Sequence, residues 1–317
     1  SRTEEVKGAD VGALMWQHVP LTALQNRALF RDHELPLWNR YNSAGIQLLG
    51  QGQSMFGDPL HFFVILANSA AWAWDVKFLL AKWLLAAGVG LCVLRGTRHL
   101  PSAAILAAIM PFIGYFVFRV NHPAIFSTCY APWMLLCWMG IAGAPDWRGA
   151  ARWVGGLILA NWCEMNSGTV KEAYMSLLTL NFAGAVALLV AALPPRERVR
   201  RFALAGAGGV IFALLAAPIW LTFLDALAQS YTEYDAARAY QVQPSLALAF
   251  FDEVLFRPFW EHDNVYNGSV NFIVLLGVLA FLVNLRRICT ERLALVLALA
   301  TLLALAIIYG VIAPYWI

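Results

Sequence analysis

The chain predicts an all-α fold: a polytopic bundle of transmembrane helices preceded by a polar external segment. Three observations carry this. Of its 317 residues, 61% are hydrophobic and 13% charged, about half the charge of an ordinary soluble domain. Apolar runs of spanning length recur from residue 75 onward, and a helix is the form in which one segment crosses lipid with its backbone satisfied. The first 74 residues differ in kind, being rich in Gly, Asn, Gln and aromatic side chains.

The elements follow in order. Residues 10–32 fit an amphipathic helix, with Val11, Leu14, Met15, Val19, Leu21, Leu24, Leu29 and Phe30 apolar and Gln17, His18, Gln25 and Arg27 between them. Pro20 and Pro36 punctuate it. Residues 37–58 read as loop, with Gly45, Gly50, Gly52 and Gly57. The apolar stretch 59–73 is too short to span and suits an interfacial or re-entrant helix. Candidate spans lie at about 75–95, 101–119, 124–143, 150–165, 170–193, 202–226, 270–285 and 293–313. The expected organisation is therefore an external segment 1–74 and one membrane domain 75–317 of about eight spans, with a long external loop at 227–269.

Charge in the loops predicts orientation. Arg95 and Arg98, Arg148 and Arg152, Arg196 to Arg201, and Arg286, Arg287 and Arg292 fall in every second connection. Basic residues stay cytoplasmic. That puts residues 1–74, the turn at Asn121 and His122, the turn 164–172 and the loop 227–269 together on the outer, periplasmic or extracellular, face of the membrane. An external start predicts one more helix upstream, which fits a chain opening Ser1, Arg2, Thr3. The net charge of +3 sets orientation and implies no nucleic-acid partner. Cys92, Cys129, Cys137 and Cys163 lie in or beside apolar helices and read as small buried hydrophobes. No Asp-x-Asp pair, nucleophile elbow, zincin motif or P-loop occurs. No repeated halves with broken helices are visible, which argues against a secondary transporter or flippase.

Several residues are candidates for chemistry at the outer face. Asp10 can act as a general base or equally as a helix N-cap. Arg119, at the outer end of a span and followed by His122, can grip a lipid-linked phosphate or snorkel at the interface. Glu164, Lys171 and Glu172 share one short turn, where they can finish the turn as an ion pair or orient a sugar or phosphate. His61 and His122 lack a second ligand at helical spacing, so neither a metal nor another cofactor is indicated. Trp16, Trp72, Trp74, Trp133, Trp162, Trp260 and Trp316 suit an interfacial belt. Trp38 and Tyr41, within the polar loop, can stack on a sugar ring.

The polar loop also carries a resemblance. Glu34, Pro36, Leu37, Trp38, Asn39 and Tyr41, then Gly45, Leu48, Leu49, Gln53 and Pro59, resemble the external-loop signature of bacterial YfhO-like membrane proteins. Asn166 to Tyr174 with Leu177 and Leu178, and Ala216, Ala217 and Pro218 with Leu224 and Ser230, are similar to later pieces in the same order. Arg40 stands where the family has a proline, and Ser43 and Ala44 replace part of a Gly-rich stretch. The resemblance implies a GT-C-class glycosyltransferase, taking sugar from a polyprenyl-phosphate donor on the outer face. It implies Asp10 as catalytic base. Taken with the shared outer-face placement, the expected substrate site is Trp38, Asn39, Tyr41, Gln53, Arg119, His122, Glu164, Lys171 and Glu172, with Arg119 first and Arg31 or Arg40 second on the phosphate. The resemblance also implies chain beyond the C-terminus. The departures favour an alternative of a different class, a non-catalytic subunit of a larger membrane assembly.

Overall fold

The computed structural model describes residues 17–41, 45–49, 53–113, 124–168, 170–229, 272–288 and 292–308. Helix makes up almost all of its regular structure, as the sequence predicts. The polar segment holds α1 (Val19–Arg27), which widens into a π-turn over Ala28–Asp32, and α2 (Pro59–Leu66). Between them β1 (Trp38–Asn39) and β2 (Ile46–Gln47) pair antiparallel, Trp38 opposite Gln47 and Asn39 opposite Ile46. Gly45 sits at φ +100 with the Trp38 indole pressed on its Cα. A side chain there is barred by both the left-handed backbone and the ring.

The helix α1 is amphipathic in an unexpected sense. Its inward face carries Leu21 but also Thr22 and Gln25, with His18 just ahead, whereas Phe30 is 49% exposed. The polar side chains point in because polar groups of the loop and of α2 meet them there. Asp58 caps α2, its carboxylate accepting the Leu60 N–H at 3.1 Å, and Pro59 supplies the preset first turn. The apolar stretch 59–73 therefore holds a two-turn helix. It ends at Asn68 and Ser69, both at positive φ, before the chain turns into the first span.

That span is α3 (Ala71–Thr97), which stops at Arg98 in the left-handed conformation. α4 (Leu100–Ile109) runs back along it, with His99 accepting the Ser102 N–H at its start. α5 (Ala124–Thr128) and α6 (Ala131–Gly143) follow, then α7 (Trp147–Asn166), capped by Asp146, and α8 (Val170–Val190). α9 (Pro195–Leu215), α10 (Ala217–Gln229), α11 (Phe272–Val283), α12 (Leu285–Ile288) and α13 (Arg292–Ile308) complete the described chain. Among the described residues, Ala71–Thr97, Ile125–Gly143 and Ala173–Val190 are each long and apolar enough to cross a membrane.

The run expected to span at 202–226 is instead two helices, α9 and α10, bent by 63°. Pro218 is the cause: it has no N–H to continue the ladder, and its ring crowds the carbonyl four residues back. The Trp220 indole N–H donates to the Ala213 carbonyl at 2.9 Å and satisfies a group near the break.

α7 packs on α6, α8 and α9. The core has two parts. One, around Val64, Trp74, Phe78, Phe126 and Tyr130, lies under the polar segment. The other, around Met134, Trp138, Ile141, Val154, Leu157, Leu177 and Leu188, fills the rest of the bundle. At the far end Arg201 of α9 is 3% exposed and donates to the carbonyls of Ile141, Ala142 and Ala144 at 2.9, 2.8 and 2.8 Å. These are unsatisfied acceptors at the end of α6, so a buried guanidinium serves as its C-cap.

Candidate functional site

The polar segment is bound to the bundle by a buried polar cluster at the N-terminal end of α3. Asp58 and Lys77 form an ion pair at 2.9 Å, with both side chains wholly buried. The Tyr130 hydroxyl donates to the other Asp58 oxygen at 2.7 Å. Lys77 also reaches the Met55 sulfur at 3.2 Å and lies 4.1 Å from the centre of the Phe126 ring. The ammonium thus faces a carboxylate, a thioether and an aromatic face, a set that replaces its water. These contacts join the loop before α2 to α3, α5 and the start of α6.

A second layer lies over the first. The Thr22 hydroxyl donates to the His18 carbonyl at 2.7 Å, and the Gln25 amide donates to the Ser54 carbonyl at 2.6 Å. Both side-chain oxygens are therefore left to accept, and His61 Nε2 lies 3.2 Å from each. His61 is accordingly the Nε2–H tautomer, and its Nδ1 lone pair meets no partner among the described residues. Burial, then the charge of Lys77, then that of His18 hold the His61 pKa well below the ordinary 6.5. His18 Nδ1 closes the layer at 3.1 Å from the Gln53 carbonyl.

α7 supplies the third side. The Trp162 indole N–H donates to the Gly57 carbonyl at 3.0 Å, and the Asn166 side chain packs on the Gly57 Cα. Glu164 is wholly buried between them, with the Ser176 hydroxyl approaching it. Neither Glu164 oxygen meets hydrogen-bond geometry with a described residue. Cys129 is buried beside the cluster, its thiol donating to the Phe126 carbonyl at 3.0 Å. A cavity of about 410 Å³ adjoins the cluster, walled by Phe56, Gly57, Asp58, Pro59, Phe62 and Ile65. Among the described residues no three His, Cys, Asp or Glu side chains converge as metal ligands.

The structure sorts the residues expected from sequence. Glu164 and the backbone of Gln53 belong to the cluster. Trp38 and Tyr41 stand outside it, 55% and 58% exposed, with Arg27 stacked 5.3 Å from the Tyr41 ring. Asn39 is buried, and its side chain accepts the Tyr41 N–H at 3.0 Å. Arg40 pairs with Glu34 at the surface. Lys171 and Glu172 lie in the first turn of α8. Asp10, Arg119 and His122 lie outside the described residues. Compared with protein-family models, curated proteins and solved structures, the chain matches none.

Asp58, Lys77, Tyr130 and Gln25 are the site residues that sequence reasoning missed. One signal was available: Lys77 lies inside an apolar run, and a cation there requires a partner.

Proposed function

We propose that the chain is a GT-C-like membrane glycosyltransferase, similar to YfhO-like proteins, acting on the outer face of the bacterial inner membrane. It would transfer a sugar from a polyprenyl-phosphate donor, with segments 1–74 and 227–269 on that face. Asp10 takes the proton of the acceptor hydroxyl, and Arg119 holds the leaving phosphate, whose stabilisation is the larger contribution. The observation that supports this reading is the anchoring of the polar segment. Asp58, paired with Lys77 at 2.9 Å, fixes one end of a loop that leaves the Trp38 and Tyr41 rings exposed. Exposed aromatic faces on a pinned loop suit the apolar face of a sugar.

The test is sugar transfer by the full chain in reconstituted membranes. Asp10→Asn abolishes transfer while the protein stays folded; undiminished transfer by this variant would refute the base assignment.

A second reading, a non-catalytic subunit of a larger membrane assembly, has its own support. Among the described Lys and Arg side chains of the polar segment and its anchor, Arg27, Arg40 and Lys77 each pair with a carboxylate, and Arg31 is exposed without such a pair. Most of the described positive charge at this site is therefore spent within the fold. This reading expects stoichiometric co-purification with other membrane proteins and no transfer by the chain alone.

A further inference from the structure

At the end of the bundle opposite the polar cluster lies a cleft of about 850 Å³, between the C-terminal turns of α3, α6 and α8 and the N-terminal part of α13. The exposed Arg95, Arg98 and Arg292 line it, together with the apolar side chains of Leu135, Met139 and Ala187. Arg198 and Arg201 are used by the fold, donating to the carbonyls that end α8 and α6. The three at the cleft are exposed, and none forms an ion pair with a described carboxylate. Arg95 is exposed and stacks on the Trp153 ring at 4.9 Å, a contact made through the face of its guanidinium. Arg292, also exposed, donates from Nη1 to the Val190 carbonyl at 2.6 Å.

We propose that this cleft binds an anionic phospholipid, its phosphate held by Arg95, Arg98 and Arg292 and the upper part of an acyl chain lying against Leu135, Met139 and Ala187. Guanidinium edges match phosphate oxygens in a bidentate way. The apolar wall runs on into spanning helices, and the volume far exceeds that of inorganic phosphate, so a lipid fits both ends of the cleft. Loop arginines mark the cytoplasmic side, where anionic lipids supply the partner charge. The inference is independent of the proposed sugar transfer, since it concerns the other end of the bundle.

Native mass spectrometry of the full chain tests it, with phosphatidylglycerol and phosphatidylcholine offered at equal concentration. Phosphatidylglycerol is retained preferentially. The variant R95A/R98A/R292A loses about tenfold or more in its occupancy, as expected for removing several charge-assisted contacts. R196A/R200A, which removes two exposed charges from the same end but outside the cleft, does not. Ala187→Phe keeps every charge and fills the cleft, so it loses occupancy too and serves if the triple variant fails to fold. Equal retention of the two lipids, equal loss in R196A/R200A, full retention in A187F, or displacement by millimolar inorganic phosphate would each overturn the proposal.

Discussion

Asp58 and Lys77, 19 positions apart in the chain, meet at 2.9 Å with neither side chain exposed, and this one pair fastens a polar loop to an apolar helix. Removing one partner leaves the other as an uncompensated charge in a dry site, which costs about 3–5 kcal/mol. Asp58→Asn and Lys77→Met each lower the thermal unfolding midpoint in detergent sharply. The double variant D58N/K77M recovers a large part of the loss, because an amide beside a thioether carries no charge to bury. A double variant as unstable as the sum of the two singles would mean that the pair does not act as a unit.

His61 makes stability depend on pH, and the direction can be worked out. Its folded pKa lies well below the ordinary 6.5, chiefly from burial. Between the folded value and 6.5 the unfolded chain holds more protons than the folded one, so stability rises with pH across that window. The contribution is fully present above pH 6.5 and lost as the pH falls below it. Unfolding midpoints compared at pH 7.5 and 5.5 fall on acidification in the native chain. The drop is smaller in His61→Gln, whose amide can still donate to Thr22 and Gln25.

Arg201 predicts a structural effect far from the polar cluster. Its guanidinium satisfies three carbonyls at the end of α6 while 3% exposed. Arg201→Ala orphans those acceptors and costs on the order of 3 kcal/mol. Arg201→Lys restores only part of this, since an ammonium lacks the planar fork that spans separate acceptors. Unfolding midpoints of the two variants rank Lys above Ala. A Lys variant as stable as the native chain would argue that the charge, and not the fork, is what α6 requires.

Much of this architecture can be read from the chain, and the failures have physical causes. The runs at 75–95, 124–143 and 170–193 hold the three described helices long and apolar enough to cross a membrane, Ala71–Thr97, Ile125–Gly143 and Ala173–Val190. The run at 150–165 is helical as α7, capped by Asp146, but is not among those three. The bend at Pro218 is signalled only by the proline itself, and the apolar run that continues beyond it hides the break. The site is harder. Lys77 announces a buried cation, yet nothing in the spacing selects Asp58 over Asp32 or Glu34 as its partner. That choice depends on how the loop folds back, which α2, Gly57 and Trp162 decide together. Gln25 and Thr22 look like the polar face of an amphipathic helix, and they are buried because His61 and the Ser54 carbonyl are polar too.

Glu164 supplies the last prediction. It is wholly buried; the Ser176 hydroxyl approaches it, and neither oxygen meets hydrogen-bond geometry with a described residue. A buried carboxyl so sparsely partnered opposes folding. Such groups persist where an absent binding partner completes them or where the reaction needs them. Glu164→Gln keeps the shape and removes the ionisable oxygen. The variant is expected to unfold at the same temperature as the native chain or above it. If the outer site transfers sugar, the same variant loses transfer by at least about tenfold, a barrier change of roughly 1.4 kcal/mol. Measured together, the two quantities separate the possible roles. A stable variant with lost transfer assigns Glu164 to the site, and a destabilised one assigns it to the packing of α7 against α8.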